Sequence, residues 1–295
     1  MTLGGRPADL LPPGEPAFIM TVDVEDWFHT NFRSAPAVDP ATVPRRVEPG
    51  VARVLETLAA AGARATFFVL GCVARDNPGV VRRIVDAGHE IGCHGMMHAL
   101  VYEQRPEEFR QMVGDARKLL SDQSGQPVLG FRAPSWSITE RSLWALDVLA
   151  DCGYRYDSSV FPAANYLYGI AGAPRTPYLV PTESGRMLVE VPPAVLALGR
   201  FCMGVGGGFY LRLFPLWVHR AAAALYARRG APFVIHVHPR ELDRDAWRLG
   251  VPLSPGERLI RDFGLRTVPR KVRGLLAGRT WEPLGDVLRR RGVLE

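Results

Sequence analysis

The sequence predicts an α/β fold and, within that class, a distorted (β/α) barrel of about seven parallel strands. Two observations carry the expectation. Short apolar runs alternate with amphipathic stretches along most of the chain, the pattern of parallel βα units. Polar residues able to do chemistry fall just after the apolar runs, at the carboxyl ends of strands, where a βα barrel keeps its site. A closed or nearly closed barrel fits this arrangement better than an open dinucleotide-binding sheet.

Taken in order, Phe18–Val22 reads as a buried parallel strand that ends in the acidic cluster Asp23, Glu25 and Asp26. Asp26 to Val47 is irregular. A helix from Pro49 to Ala61 has the apolar stripe Val51, Val54, Leu55 and Leu58 and stops at Gly62. Strand Ala65–Leu70, a helix opened by Pro78 and stopped by Gly88, and the strand leading to His94 follow. Further helices are expected from Arg105 and from Glu140 to Asp151, with strands at Val128–Phe131 and Tyr154–Asp157. Past Phe161 the alternation breaks. Tyr178–Val180 and Leu188–Val191 read as a strand pair, and Gly204 to Gly208 as a flexible surface loop, because no Lys-Ser/Thr follows as in a phosphate-binding loop. Helix Pro215–Arg229, strand Pro232–Val237, a helix near Pro255–Phe263, a strand at Leu265–Val268 and a helix after Pro283 complete the chain. Residues 1–16 read as a flexible leading segment and 17–290 as one domain.

Composition bounds the function. With 295 residues, 47% hydrophobic and 22% charged, the chain can bury a sizeable core. The net charge is +6, but no basic motif is interleaved with aromatics, so nucleic acid is not an expected partner. Arg289-Arg290-Arg291 reads as a solvated helix end. Cys72, Cys93, Cys152 and Cys202 form no CxxC pair and read as small buried residues of a reducing compartment. No signal-peptide pattern and no apolar stretch long enough to span a bilayer is visible, so a cytoplasmic location is expected.

The chemistry centres on His94 and His98. Four positions apart, they are expected on one side of a helical turn, where with a carboxylate they make a facial set that leaves metal positions open. Strand alternation puts Asp23 and Glu25 on one face, with Asp26 the rival ligand if the strand has already ended. His236 and His238 share a strand face farther on.

Asp23-Val24-Glu25-Asp26-Trp27, His94-Gly95-Met96-Met97-His98, Phe131-Arg132-Ala133-Pro134-Ser135-Trp136, Tyr156-Asp157-Ser158-Ser159 and His238-Pro239 occur in the order found in polysaccharide deacetylases. The chain resembles that family, carbohydrate esterase family 4 with the NodB homology domain, over residues 17 to 290. Its fuller wording resembles the subgroup that accompanies exosortase (PEP-CTERM) exopolysaccharide gene clusters. The resemblance implies a NodB-like barrel, a divalent metal that is usually zinc, and removal of N-acetyl groups from a sugar polymer or oligosaccharide. It also implies a place in exopolysaccharide synthesis, in contact with membrane-bound assembly machinery. Carried over by position, Asp23 is the base, Arg132 its orienter and His238 the acid. His94, His98 and Glu25 hold the metal, while Trp136, Asp157 and Pro134 meet the substrate, Asp157 also tuning the acid histidine. Where relatives often have Trp-Glu after the late proline, this chain has Arg240-Glu241. A hydrolase of small cyclic amides or imides, and a catalytically silent carbohydrate-binding protein, are the competing readings.

Overall fold

The computed structural model describes residues 2–3, 6–165, 167–198 and 201–295. Ten strands form one sheet: β1 (Asp9–Leu10), β2 (Ala17–Val24), β3 (Thr66–Val69), β4 (Glu90–Cys93), β5 (Gly130–Phe131), β6 (Tyr156–Asp157), β7 (Tyr178–Pro181), β8 (Met187–Glu190), β9 (Pro232–Val237) and β10 (Trp281–Glu282). Seven of them, in the order β9-β2-β3-β4-β5-β6-β8, are parallel, in keeping with the expected barrel. Antiparallel β7 and β1 extend the sheet beyond β8, and β10 pairs with β2. β8 and β9, at the two ends of the parallel arc, are joined by a coil seam. Ala194 N donates to Val234 O (3.1 Å), Val205 N to Ala194 O (3.0 Å) and His236 N to Gly206 O (2.6 Å).

Helices cover the outside because their apolar stripes have nowhere else to go. In α1 (Val47–Ala59), Val47, Val51, Val54 and Leu58 are buried at helical spacing. Next come α2 (Gly71–Asp76), α3 (Pro78–Asp86), α4 (Pro106–Ser124) and α5 (Trp144–Asp151). Pro78 and Pro106 open their helices, where a missing N–H costs nothing, and Gly125 ends α4 in the left-handed region (φ 71°). The chain continues through α6 (Gly208–Leu213), α7 (Leu216–Arg228), α8 (Pro239–Leu242), α9 (Pro255–Asp262), α10 (Val268–Leu276) and α11 (Leu284–Arg290). No helix among the described residues is long and apolar enough to cross a membrane.

Strand β2 shows how the sequence divides the interior. Met20, Val22 and Val24 join the outer core beneath the helices. Ala17 and Ile19 face inward onto Phe68, Tyr156 and Val234, and α11 closes that inner core with Leu284, Val287 and Leu288. Period-two alternation then carries Thr21 and Asp23 into the same inward row. The barrel is therefore packed with hydrocarbon toward the amino ends of its strands and turns polar toward their carboxyl ends. Gly92 makes this packing possible, since a Cβ there would meet the Phe68 ring at 2.6 Å.

Four sequence expectations are corrected. His94 and His98 lie not on a helical turn but on a bent loop after β4, turned by Gly95 at φ 86°. Leu265–Thr267 is a single 3₁₀ turn running into α10, not a strand. Within the leading segment, Asp9–Leu10 is an edge strand rather than flexible chain. The glycine run is no flexible surface loop: Gly204 to Gly207 are buried along the seam, and at Gly206 and Gly207 the missing Cβ lets the backbone lie against β9.

A Cβ on Gly206 would stand 2.6 Å from Val234 O and 3.1 Å from Ala194 N, both backbone atoms that cannot turn aside. Gly206→Ala should cost about 1–3 kcal/mol, as overpacking does. A denaturant midpoint equal to that of the parent protein would instead fit a loose loop.

Candidate active site

The strand registers gather the predicted residues at one end of the barrel. Val22 pairs with Val237, so Asp23 and His238 lie on adjacent strands at one level. Cys93 pairs with Phe131, which sets His94 beside Arg132. Asp23, Glu25, His94, His98, Trp136 and His238 line one cleft, with Arg212, Arg240 and Arg261 also on its wall.

Arg132 is fully buried and each of its three guanidinium nitrogens donates a hydrogen bond. Nη1 donates to Asp23 Oδ1 (2.8 Å) and Thr21 Oγ1 (2.7 Å), Nη2 to Ser158 Oγ (2.9 Å) and Nε to Ser158 O (3.2 Å). Its Cζ also sits 4.4 Å above the Phe68 ring, a cation–π contact. Burial alone would raise the Asp23 pKa. Arg132 outweighs it, with help from His94, His238 and His236, so the carboxyl is held well below its usual range and stays ionised.

Glu25, His94 and His98 converge so that one ligand atom from each lies within 4.8 Å of the others. His94 Nδ1 meets Arg132 O at 2.8 Å. A carbonyl only accepts, so the proton sits on Nδ1 and Nε2 offers its lone pair to the cleft. Burial, opposed by Asp23 and Glu25, lowers the His94 pKa to about 4 and keeps the ring neutral. The Glu25 pKa is brought down to about 2: burial pushes it up, but His98 first, then His238 and His94, outweigh that. Glu25 Oε2 is buried without a directed hydrogen bond among the described residues, although His98 Nε2 is 2.7 Å and His94 Nε2 3.8 Å away. Electron pairs crowded together in this way fit a divalent cation of the zinc type.

Asp26, the rival, is spent elsewhere. Its carboxylate accepts from the backbone N–H groups of Trp27 (2.8 Å), Arg46 (2.8 Å) and Val47 (3.1 Å), satisfying the open amino end of α1. Adjacent acids thus have separate duties, one turned to the cleft and one to a helix.

His238 is held by a residue the motif reading passed over. Glu241 Oε2 accepts from His238 N (3.0 Å) and lies 3.3 Å from Nδ1, while Arg212 Nη1 donates to Glu241 Oε1 (2.9 Å). The signal was in the sequence: Pro239 starts α8 and Glu241 is its third residue, so the carboxylate folds back on His238 as in a capping box. His238 Nε2 points to Glu25 Oε1 (3.7 Å) and Asp23 Oδ2 (4.0 Å). Burial disfavours its charge, yet Glu241, Glu25 and Asp23 together raise its pKa to about 9. His236 is the opposite case, lowered by burial to about 3 and wedged edge-on against Trp136, with ring centroids 4.4 Å apart.

Trp136 stands in the cleft wall on an unusual turn, with Ser135 at φ 52° and Trp136 at φ 47°. Two consecutive side-chain-bearing residues in the left-handed region are uncommon and aim the indole at the cleft. Two predicted substrate positions are corrected. Pro134 is buried against the histidine loop, 3.8 Å from where a Cβ on Gly95 would be. Asp157 is fully buried but on the strand face opposite Tyr156, in the row of the outer-core residues Cys93 and Phe131, and is hydrogen-bonded to Ser159 rather than turned to the cleft. In that motif it is Ser158, gripping Arg132, that serves the site.

A family model described as Polysaccharide deacetylase matches residues 41–156, the stretch that holds His94, His98 and Arg132. That stretch is similar to part of a polysaccharide deacetylase domain. A second model, Domain of unknown function (DUF3473), matches residues 158–289 and includes His238. Strands of the barrel come from both stretches. Over 95 residues the chain is 34% identical to the peptidoglycan-N-acetylglucosamine deacetylase PgdA of Listeria monocytogenes, 32% of this chain but only about a fifth of that protein's length (20%). It is 49% identical over 45 residues to the chitooligosaccharide deacetylase of Sinorhizobium fredii, covering 15% of this chain and 21% of that one. A solved structure from Mycobacterium smegmatis that bears a polysaccharide deacetylase name superposes with a TM-score of 0.63 at 21% identity over 97% of both chains, which establishes the fold.

The buried acid pair Asp157 and Glu190 makes stability depend on pH. Burial and the charge of Asp157 push Glu190 well above its usual range, and burial raises Asp157 to about 6. The folded chain then holds more protons than the unfolded one above the ordinary carboxylate range, so stability falls as pH rises through that window. Glu190→Gln should flatten the decline between about pH 5 and about pH 8. Parallel declines in denaturation free energy for parent and variant would remove the pair as its source.

Proposed function

We propose that this domain hydrolyses N-acetyl groups from an N-acetylated polysaccharide or oligosaccharide, with a divalent metal, zinc foremost, and that it serves exopolysaccharide synthesis beside membrane-bound assembly machinery. One observation carries the reading: an arginine-held carboxylate, a Glu-His-His cluster and a carboxylate-held histidine open on a single cleft. Amide hydrolysis needs these three parts: a base for water, charge to stabilise the oxyanion, and an acid for the departing amine.

Glu25, His94 and His98 would hold the cation, which when bound supplies a Lewis acid that lowers the pKa of water and polarises the acetyl carbonyl. Asp23 takes the proton from the attacking water. Arg132 anchors its Oδ1, so the carboxylate is oriented and ionised before substrate arrives. His238, kept protonated by Glu241, lies 3.7 Å from Glu25 and gives its proton to the leaving nitrogen. Trp136 presents an aromatic face for the sugar ring. His236, neutral and packed against that indole, positions it and exchanges no proton.

Two sets of variants test this. Glu25→Ala should lose metal measured by elemental analysis, whereas Asp26→Ala should keep it and lose about 1–2 kcal/mol of stability as a missing helix cap. The reverse pattern would move the ligand to Asp26.

Acetate release tests the rest. Asp23→Asn should lower turnover by about two to four orders of magnitude with metal retained. His238→Ala should harm release of a sugar amine far more than that of an activated aryl ester, whose leaving oxygen needs no proton. A leaving-group dependence that appears in His236→Ala instead would overturn the acid assignment. Absence of acetate release from every N-acetylated glycan would sink the reading itself.

A further inference from the structure

On the cleft wall nearest His238 three arginines share two carboxylates. Arg212 donates from Nη1 to Glu241 (2.9 Å) and from Nη2 to Ile260 O (2.9 Å). Arg240 reaches Asp262 Oδ1 with Nη2 (2.8 Å) and Arg261 O with Nη1 (3.3 Å). Arg261 takes both oxygens of Asp262, at 2.8 and 2.7 Å, and also Val251 O at 2.9 Å. Neither acid is exclusive to this wall, because Glu241 also holds His238 and Arg258 stands 4.0 Å from Asp262. Positive charge is therefore in surplus. The Nε groups of Arg212 and Arg240 are buried with no acceptor among the described residues. Burial pulls the Arg240 pKa down, Asp262 offsets only part of this, and repulsion from Arg261 and Arg212 adds to the lowering, so a further anion there would be stabilising.

We infer that Arg212, Arg240 and Arg261 form a subsite for an anionic group, a carboxylate or a phosphate, carried by the sugar chain beside the N-acetyl sugar that is processed. The inference rests on the deacetylase reading of the cleft. Three successive contacts link the wall to the cation cluster: Arg212 to Glu241 (2.9 Å), Glu241 to His238 (3.3 Å) and His238 to Glu25 (3.7 Å). That path puts the wall within reach of the same sugar or its neighbour. Arginine is the side chain whose planar fork suits carboxylate and phosphate oxygens. If these residues merely clamped α6, α8 and α9 together, substrate charge would make no difference.

The test uses zinc-loaded protein and three sets of oligosaccharides of matched length: N-acetylglucosamine alone, N-acetylglucosamine alternating with glucuronate, and N-acetylglucosamine ending in a phosphate monoester. Acetate release is measured at low and high salt. At least one anionic set should have a kcat/KM about tenfold or more above the neutral set, as expected for a charge-assisted hydrogen bond. High salt should shrink that ratio, and which set gains tells carboxylate from phosphate. Arg240→Gln should bring the ratio close to one while Arg240→Lys retains part of it, with thermal melts confirming that both variants fold. Equal kcat/KM for all three sets, or a ratio untouched by Arg240→Gln, overturns the subsite. Calorimetric titration with the same glucuronate and phosphate oligosaccharides, already deacetylated, separates the two claims. Binding that is lost in Arg240→Gln upholds the subsite even if no acetate is ever released, and no binding in the parent protein refutes it.

Discussion

The Arg132 guanidinium is the interaction on which the rest of this site hangs. A fully buried cation must be paired and hydrogen-bonded or it is prohibitively costly. Here the partners come from different strands: Thr21 and Asp23 on β2, and Ser158 just beyond β6. Its backbone extends the reach, with N donating to Cys93 O and O facing His94 Nδ1. Thr21 passes the link on, donating to Ile235 O on β9. One side chain thereby fixes the relative heights of strands that supply the proposed base, a metal-ligand candidate and the proposed acid. Removing it would leave Asp23 buried and unpaired, and losses of about 3–5 kcal/mol follow from such a change.

The two ends of the proposed proton path are prepared by opposite means. Asp23 is ionised because a permanent cation touches it. His238 is protonated because three carboxylates surround it despite partial burial. Near Asp23 lies a neutral, buried His94 whose tautomer is set by a backbone carbonyl. None of these states requires substrate. The site is preorganised by groups already in place, the condition under which electrostatic stabilisation in a dry cleft is most effective.

Legibility in the sequence followed the range of the interaction concerned. Parallel strands were readable because a strand buried on both faces must be an apolar run, as Phe18–Val22 and Pro232–Val237 are. The carboxyl-end location of Asp23, His94, Arg132 and His238 came with them, and the face of Glu25 followed from alternation even though β2 stops at Val24. The path of the histidine loop was not readable, since a spacing of four suits a helix as well as a loop turned by one left-handed glycine. The burial of Gly204–Gly207 was hidden for a different reason: its partner, β9, lies far along the chain, and local composition contains no trace of a seam. Asp157 was misassigned because a motif names neighbours without saying which faces inward. Asp157 is in register with Phe131 and Cys93, which belong to the outer core, so it shares their face and turns away from the cleft. Glu241 could have been found from Pro239 and the three-residue spacing alone.

Asp23, Glu25 and Asp26 hold three duties within four positions: a carboxylate gripped by arginine, one offered to the histidines, and one that caps α1. Their separation depends on the two-residue alternation of an extended chain, in which a shift of one residue exchanges inside for outside. A point substitution here damages one duty and spares the other two. The insertion or loss of one codon would disturb all three together, turning the capping acid toward the cleft and leaving the amino end of α1 bare. Heredity can therefore rewrite letters in this stretch more safely than it can change their number, and its length is a more faithful record of the working site than any one of its acids.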